Sequence, residues 1–417
     1  MNLKFRLITM NFLQFFVWGA WLITIANYWF GTKGWGPVDF GDIFMTLGLS
    51  SLFMPALTGI IADRWVNAER LYGILHLLSG AVICYIPQIN DPNTFFWFMF
   101  LAMIFYMPTI ALSNSVAYNV LKTNNYDVVK VFPPIRVWGT VGFIAAMWIT
   151  NLTGSKSSEF QFYISAAGSF LLGIYSFTLP ACLPNKNQES KGFVEMMGLN
   201  AFKLFKNSKM AMFFIFAMFL GAALQLTNMF GDRFVDNFKE IPKYADLFVV
   251  KYSTIIMSIS QVSETLFILA IPFFLKRFGI KKVMLISMVA WVLRFGLLAY
   301  GNPADGLWMI IVSCIVYGMA FDFFNVSGSL FVETQTDSKI RSSAQGLFMM
   351  MVNGIGAIIG SYASGFLIET YFTNADGSFQ WRGIWLSFAI YAAVIAVLFA
   401  IFFKHKHDPN VELEVKH

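Results

Sequence analysis

Charge is scarce in this sequence. Only 12% of its 417 residues are Asp, Glu, Lys or Arg, whereas 57% are hydrophobic and 47 are phenylalanine. Soluble domains average about 25% charged residues, which they need in order to cover their surface with polar groups. The composition therefore excludes an ordinary soluble protein and indicates a chain that resides in a lipid bilayer.

Cysteine and histidine are also rare. The three cysteines, Cys84, Cys182 and Cys314, are far apart and show no paired spacing, so the sequence predicts neither a disulfide framework nor a zinc site. Three of the four histidines fall in the polar C-terminal tail. With no nucleophile motif and no cluster of metal ligands, we expect no enzyme activity, no cofactor and no bound metal.

One glycine-rich run deserves a separate interpretation. It covers residues 354–360 and lies inside an apolar stretch with no strand before it, unlike a phosphate-binding loop. Gly356, Gly360 and Ser364 are spaced four residues apart, which is typical of close packing between membrane helices. The run therefore predicts a helix interface rather than a nucleotide site.

Long apolar runs fill most of the chain, and each approaches the roughly 20 residues that cross a bilayer as a helix. They are continuous rather than alternating, which is typical of helices and not of outer-membrane barrels. The sequence therefore predicts an all-α membrane protein with twelve transmembrane helices. The predicted spans are Leu7–Phe30, Phe40–Ala62, Leu71–Ile89, Thr94–Val120, Phe132–Thr153, Phe160–Leu179, Lys209–Phe230, Phe248–Leu275, Ile280–Tyr300, Leu307–Val332, Ile340–Thr370 and Trp381–Phe403.

The positions of lysine and arginine predict the orientation. Most of these 29 residues lie in loops on the side of both termini, and cytoplasmic loops carry such an excess. We expect both termini in the cytoplasm. The first run is too long for a signal peptide and lacks a small-residue cleavage site, so we expect it to be a span. This bias, rather than nucleic-acid binding, accounts for the net charge of +6.

The longest polar interruption divides the spans six and six. We predict an N-terminal six-helix bundle over 1–180, a cytoplasmic linker over 181–208, a C-terminal six-helix bundle over 209–403 and a cytoplasmic tail over 404–417. Short basic turns follow both the second and the eighth span, which supports an internal repeat. The first of these turns contains Gly59, Asp63 and Arg64, and it resembles a loop signature of the major facilitator superfamily.

Charged residues inside the spans are candidates for function, because a charge at mid-membrane costs at least ~2.5–3.5 kcal/mol. They are Arg136, Glu264, Arg294 and Asp322. Arg294 lies toward the outer end of its span, where we expect its long side chain to reach the membrane surface. The other three lie deeper and are expected to line a cavity or to have partners.

Helical spacing groups these charges with polar and aromatic side chains on shared helix faces. The stripes are Arg136, Thr140 and Phe143; Gln225 and Asn228; Gln261 and Glu264; Tyr317, Phe321, Phe324 and Asn325 beside Asp322; and Asn11, Gln14 and Trp18. Hydrogen bonding between helices would explain any single pair. Five spans that each bring a stripe favour a shared, water-filled cavity.

The chemistry of these stripes suits a neutral, flat, hydroxylated solute. Amide groups pair with both donors and acceptors, and aromatic rings can stack on a base. A sugar would also use amides and an aromatic platform. From the residues alone, a nucleoside and a sugar remain nearly equal candidates.

Several segments resemble the bacterial nucleoside permeases of the nucleoside:proton symporter family, within the major facilitator superfamily. These segments are Met54-Pro55-Ala56, Phe132 to Thr140, Gln225 to Gly231, Ile256 to Phe267 and Ala320 to Gly328. The resemblance extends from residue 1 to about residue 406. It implies two six-helix bundles that import nucleosides by proton symport through alternating access.

The same resemblance implies the site. The substrate-binding residues that it implies are Arg136, Thr140, Phe143, Gln225, Asn228, Gln261, Glu264, Tyr317 and Phe321. For proton coupling, Glu264 is the first candidate and Asp322 the second, although sodium coupling stays open. The expected partners are a nucleoside, protons and the lipid bilayer, and we expect the protein to function as a monomer. A proton-coupled sugar or oligosaccharide symporter of the same fold is the alternative.

Overall fold

The computed structural model describes residues 2–184, 199–337 and 340–405. Within them the regular structure is helical, apart from an isolated bridge between Thr373 and Phe379. This confirms the all-α class. Nine helical stretches of the described chain are long and apolar enough to cross a membrane. The Cα packing divides the chain into two compact units, unit 1 over Met1–Met197 and unit 2 over Gly198–His417.

The described part of unit 1 contains six α-helices. They are α1 (Leu3–Gly19), α2 (Pro37–Arg64), α3 (Ala68–Tyr85), α4 (Pro92–Thr123), α5 (Val128–Leu152) and α6 (Phe160–Ser176). A π-helical segment, Asn27–Lys33, precedes α2, and short 3-10 turns follow α3 and α5. Two loop aspartates cap helices: Asp91 accepts the amide of Thr94 on α4, and Asp127 accepts that of Lys130 on α5. The hydrogen bonds from Thr94 hold the pKa of Asp91 below its usual value.

In unit 2, residues 199–337 and 340–405 contain eight α-helices. They are α7 (Ser208–Asn237), α8 (Phe248–Lys251), α9 (Ser253–Met257), α10 (Ile259–Tyr300), α11 (Leu307–Gln335), α12 (Arg341–Met349), α13 (Ala357–Tyr371) and α14 (Trp381–Phe402). A 3-10 helix, Leu199–Lys206, precedes α7, and a π-helical segment, Met350–Gly356, joins α12 to α13. The unit therefore has more helical pieces than the predicted number of spans.

The first predicted span is not one continuous helix. α1 ends at Gly19, and a run of turns separates it from the π-helical segment. At the break the amide of Thr24 donates to Trp21 rather than to Ala20, and the hydroxyl of Thr150 on α5 donates to the Ala20 carbonyl at 3.1 Å. The hydroxyl of Thr150, from a neighbouring helix, thus pairs with the Ala20 carbonyl, which does not accept the amide of Thr24 as it would in a continuous α-helix.

The predicted eighth and ninth spans differ in another way. The predicted eighth span begins as two short helices, α8 and α9, and continues into α10, which runs on through the predicted ninth span. The exception to helical geometry inside α10 is Gly279, with φ 75° and ψ 166°. A positive φ is easily adopted by glycine, so this residue lets the chain change direction where the sequence predicted a loop.

Small residues allow close helix contacts in both units. In unit 1 a side chain at Gly142 would collide with the carbonyl of Phe12, and one at Gly19 with the carbonyl of Phe143, so α1 and α5 touch backbone to backbone. In unit 2, Gly356 and Gly360 make the same kind of contact with α7. The predicted packing role of the glycine-rich run is confirmed.

Parts of the predicted linker and tail, residues 185–198 and 406–417, lie outside the described residues. The described start of the linker is attached to unit 1: the amide of Cys182 donates to Glu69 Oε2 at 2.8 Å, and the Cys182 carbonyl accepts from Ala68 at 3.2 Å. Burial, with the nearby Glu69 carboxylate, raises the pKa of the Cys182 thiol to about 12.

Candidate functional site

The predicted residues of α5 form an aromatic and cationic cluster with α1. The guanidinium carbon of Arg136 lies 4.0 Å from the ring centroid of Phe15, which is a cation–π geometry. Gly139 leaves room for this pair, because a side chain there would collide with both. Phe143 is nearly buried and meets Trp18 edge to face, with the centroids 6.4 Å apart. Thr140 lies half-buried on the same helix.

Trp18 brings an unused donor to this cluster. Its indole Nε1 is buried and has no hydrogen-bond partner among the described residues. Buried polar groups usually have a partner, so such an atom indicates a place for a ligand or a water molecule. The prediction that the stripe of the first span carries function is therefore supported for Trp18 by its surroundings.

The same prediction is wrong for Gln14, whose side-chain amide is fully buried and paired inside unit 1. Asn11 is also fully buried, but its Oδ1 atom has no hydrogen-bond partner among the described residues. Asn11 donates to the carbonyl of Leu7 at 2.9 Å. Gln14 Oε1 accepts from the hydroxyl of Tyr72 at 2.6 Å and lies 2.9 Å from His76 Nε2. These short distances place Gln14 at the centre of an internal polar network.

The network continues onto α4 and α6. The amide nitrogen of Gln14 donates to the hydroxyl of Thr109 at 2.9 Å, and Tyr106 donates to the Gln14 carbonyl at 2.8 Å. The hydroxyl of Ser169 lies 3.2 Å from His76 Nδ1. Helical spacing within single spans did not predict this network. The sequence contained one signal for it: His76 is an isolated histidine in an apolar run, where its ring nitrogens need hydrogen-bond partners inside the protein.

In unit 2, two side-chain amides have oxygen atoms that accept no hydrogen bond from the described residues. Gln225 on α7 is 7% exposed, and its Oε1 atom has no hydrogen-bond partner within the described chain. The Oε1 atom of Gln261 on α10 also has no hydrogen-bond partner there. Asn228 lies half-buried one turn beyond Gln225. These oxygens can accept hydrogen bonds from the hydroxyl or amino groups of a small molecule.

The predicted residues of α11 form a platform beside two acids. The rings of Tyr317 and Phe321 are stacked, with centroids 6.3 Å apart and planes 11° from parallel. Asp322 is 4% exposed, and its Oδ2 atom has no hydrogen-bond partner in the described part of the chain. The carboxylates of Glu264 and Asp322 lie close enough to repel each other. Gly318 holds α10 and α11 together at this level, against the backbone of Ser263.

Arg294 corrects the sequence prediction. It does not reach the membrane surface but is fully buried. Its Nη1 donates to the carbonyl of Ser313 at 2.8 Å, its Nε donates to the hydroxyl of Thr227 at 3.1 Å, and its guanidinium carbon lies 4.5 Å from the ring centroid of Tyr317. Hydrogen-bond acceptors on α7 and α11 thus take the place of water around the guanidinium group. Residue spacing within a single span cannot predict contacts with other helices. Arg294 therefore belongs beside the candidate site.

A further charged cluster lies at the end of α7. The predicted span stops at Phe230, but the helix continues, and Arg233 and Asp236 in this extension are almost fully buried, 3.6 Å apart. Lys239 approaches Asp236 to 2.6 Å and Glu240 approaches Arg233 to 3.2 Å. The predicted span boundary at Phe230 placed these residues in a loop. Their opposite charges at i, i+3 spacing were a signal for continued helix.

The polar groups described above fall into two sets, one in each unit. Unit 1 contributes a cation, an indole donor and an aromatic ring, whereas unit 2 contributes amide oxygens, two carboxylates, an arginine and a stacked aromatic platform. Among residues 2–184, 199–337 and 340–405, no group of three or more His, Cys, Asp or Glu could hold a metal ion. Each set can contact a neutral polar solute through hydrogen bonds and aromatic faces, and the two carboxylates of unit 2 can also bind a proton.

Comparison with known proteins identifies the family. The model of the family described as "Nucleoside H+ symporter" matches residues 1–408. The chain is 50% identical over 418 residues to the xanthosine permease of Escherichia coli (strain K12), covering 100% of this chain and 99% of the permease. It is 48% identical over 408 residues to the nucleoside permease NupG of the same strain, with 98% and 97% covered.

A solved structure agrees with the sequence comparison. The crystal structure of nucleoside transporter NupG is similar to this chain with a TM-score of 0.91 and 48% identity, covering 97% of this chain and 100% of that one. The fold is thus that of the major facilitator superfamily, as predicted. The chain belongs to the nucleoside H+ symporter family: it is a membrane transporter that imports nucleosides together with protons, and it is not an enzyme.

Proposed function

We propose that both units provide ligands to the nucleoside that this transporter carries. The proposed binding residues are Arg136, Thr140, Phe143, Gln225, Asn228, Gln261, Glu264, Tyr317 and Phe321. The observation that carries the proposal is the pair of buried acceptor atoms Gln225 Oε1 and Gln261 Oε1, which have no hydrogen-bond partner among the described residues. A buried polar atom left unpaired costs about 1–3 kcal/mol, and a bound ribose or base can offset that cost.

Aromatic side chains supply the second part of the proposed recognition. The stacked pair of Tyr317 and Phe321 presents a flat surface in unit 2, and Phe143 with Trp18 presents another in unit 1. Stacking of a base on an aromatic ring is worth about 1–3 kcal/mol in nucleic-acid complexes. Such faces favour a nucleobase over a sugar, and the family assignment also disfavours the sugar alternative.

Glu264 and Asp322 are the proposed proton carriers. Repulsion between two negative charges in a low-dielectric site is relieved when one of them binds a proton. Arg294, buried beside Tyr317, provides a fixed positive charge that balances the remaining negative one. Proton entry at 100 mV supplies about 2.3 kcal/mol per charge, which alternating access converts into nucleoside accumulation.

The membrane topology completes the proposal. We propose twelve spans, six in each bundle, with α8, α9 and the first segment of α10 forming one span and α12 and α13 forming another. We retain 1–180 and 209–403 as the bundles, 181–208 as the cytoplasmic linker and 404–417 as the cytoplasmic tail. Both termini then lie in the cytoplasm of a bacterial cell, and the protein works as a monomer in the inner membrane.

Reconstituted transport tests this function. Purified protein in proteoliposomes is supplied with labelled uridine or xanthosine under an imposed inward proton gradient, an equal sodium gradient, or no gradient. We expect accumulation above equilibrium with the proton gradient alone. Accumulation that requires sodium would contradict proton coupling, and competition by sucrose as strong as that by unlabelled nucleoside would contradict the proposed recognition.

A further inference from the structure

Unit 2 contains a basic pocket outside the candidate site. Lys209, Lys281, Lys404 and His405 line it, and its volume is about 610 Å³. Lys209 lies in the first turn of α7, Lys281 follows the break in α10, and the other two follow the end of α14. Three separate parts of the unit thus bring basic side chains to one concave surface, and neither Asp nor Glu is among these lining residues.

Neutral groups hold the lysines in place. Lys209 Nζ donates to Gln335 Oε1 and to His405 Nδ1, both at 3.0 Å. Lys281 Nζ donates to the carbonyl of Ala400 at 3.0 Å. Because these partners carry no negative charge, they orient the two ammonium groups without neutralising them. The lining that the described residues provide therefore carries a concentrated positive charge, which an anion would stabilise.

The excess of lysine on one side of a membrane protein explains part of this observation. That rule places basic residues in cytoplasmic loops, where they are normally dispersed in solvent. It does not explain why lysines from distant parts of the sequence converge, since like charges that approach one another repel. Convergence on one concave surface is typical of a site for a phosphate group.

The surface next to the pocket indicates what carries the phosphate. The residues immediately before Phe403 and Lys404 on α14 are apolar and exposed: Ile401 is 59% exposed and Phe402 is 55% exposed. Ala400, whose carbonyl accepts from Lys281, directly precedes them. A basic pocket continuous with an exposed apolar helix face matches a molecule with an anionic head and hydrocarbon chains.

We propose that the basic pocket binds the phosphate headgroup of an anionic phospholipid, with its acyl chains on the exposed apolar face of α14. Phosphatidylglycerol has the required chemistry, and phosphatidylcholine, which has no net charge, does not. The bound lipid links the start of α7, the second segment of α10 and the end of α14. Two of these elements, α7 and α10, also carry residues of the proposed substrate site.

The test measures lipid binding to the purified full-length protein in a neutral detergent by native mass spectrometry. Phosphatidylglycerol and phosphatidylcholine are added in turn to the unchanged protein, to a pocket variant (Lys281→Gln with Lys404→Gln) and to a control variant (Lys276→Gln with Lys282→Gln). The control removes two exposed lysines from the same region without touching the pocket lining.

We expect phosphatidylglycerol to bind the unchanged protein and the control with affinities within about twofold of each other. The pocket variant should lose about 30-fold in affinity, given the usual contribution of a lysine near an anionic headgroup. Equal losses in the two variants would overturn the proposal, because they would indicate diffuse attraction to surface charge. Equal binding of phosphatidylcholine by the unchanged protein would also overturn it.

A second experiment distinguishes a phospholipid from a soluble phosphate as the ligand of the pocket. Calorimetric titration with inorganic phosphate and with a nucleoside monophosphate is carried out on the same three proteins without added lipid. We expect no binding that depends on Lys281 and Lys404 at millimolar concentrations. Pocket-dependent binding of either soluble anion as strong as that of phosphatidylglycerol would overturn the lipid assignment. Unchanged uridine binding by the pocket variant shows that it is folded.

Discussion

The two units differ in how their buried polar side chains are hydrogen-bonded. Unit 1 buries a neutral network around Gln14, in which both side-chain atoms of the amide have partners. Unit 2 buries Arg294 and Asp322, and acceptor atoms such as Gln261 Oε1 have no hydrogen-bond partner among the described residues. Burying a polar group is costly unless it is hydrogen-bonded. The Gln14 network is therefore suited to rigidity, whereas the acids and amides of unit 2 retain capacity for a ligand and a proton.

The largest effect should come from removing the first proton-carrying candidate. We expect Glu264→Gln to abolish uphill nucleoside uptake, since the neutral amide cannot bind and release a proton, while counterflow of labelled nucleoside persists. Uptake and counterflow are measured in the same proteoliposomes. Glu333→Gln is the matched control, because that carboxylate in α11 pairs with Arg341 instead. Loss of counterflow with an unchanged pH dependence would show that Glu264 only holds substrate.

Removing the buried cation of unit 2 should have the next largest effect. Arg294→Leu leaves nearby acids without their balancing charge and should destabilise the protein by about 3–5 kcal/mol. The midpoint of thermal unfolding in detergent measures this loss. If the midpoint changes as little as in Arg382→Leu, a substitution at the start of α14, the proposed charge balance is wrong.

Replacing the central glutamine of the unit 1 network should lower stability without weakening nucleoside binding. Gln14→Leu removes hydrogen bonds to Tyr72, His76 and Thr109 and should cost about 2 kcal/mol. We expect a lower unfolding midpoint and a nucleoside KM within about twofold of the unchanged protein. A large rise in KM at an unchanged midpoint would reverse the assignment of roles to the two units.

Gln261→Leu in unit 2 should give the opposite pattern. Its Oε1 atom has no hydrogen-bond partner in the part of the chain that the structure describes, so the unfolding midpoint should stay the same or rise. The affinity for nucleoside should fall about fivefold, equivalent to one hydrogen bond of about 1 kcal/mol. Binding is measured by calorimetry beside Gln14→Leu. A lower midpoint with unchanged affinity would mean that Gln261 serves packing alone.

The smallest effect concerns a thiol of unit 1. The pKa of Cys182 is raised to about 12, so the thiol stays protonated at neutral pH, and the thiolate is the reactive form. In a Cys84→Ser, Cys314→Ser background, maleimide labelling should be slow at pH 7 and should accelerate as the pH rises toward that value. Fast labelling at pH 7 would show that the start of the linker is not attached as described.

The sequence predicted the class, the family and most helices because apolar runs and motif residues are local signals. It could not predict that Arg294 stays inside, since Ser313 and Thr227 come from other helices. Gln14 was misplaced for the same reason. Helix spacing reports which residues share a face, but only tertiary packing determines whether that face meets a cavity, a neighbouring helix or lipid.

The contact between α1 and α5 has a mechanical consequence. With glycine at positions 19 and 142, no side chain separates the two backbones, so neither helix can yield without the other. A displacement of α5 at Phe143 would therefore be transmitted to α1, the helix that carries Gln14. Because two methyl groups are absent, the two helices form one rigid pair, and a bulkier residue at either position would force them apart.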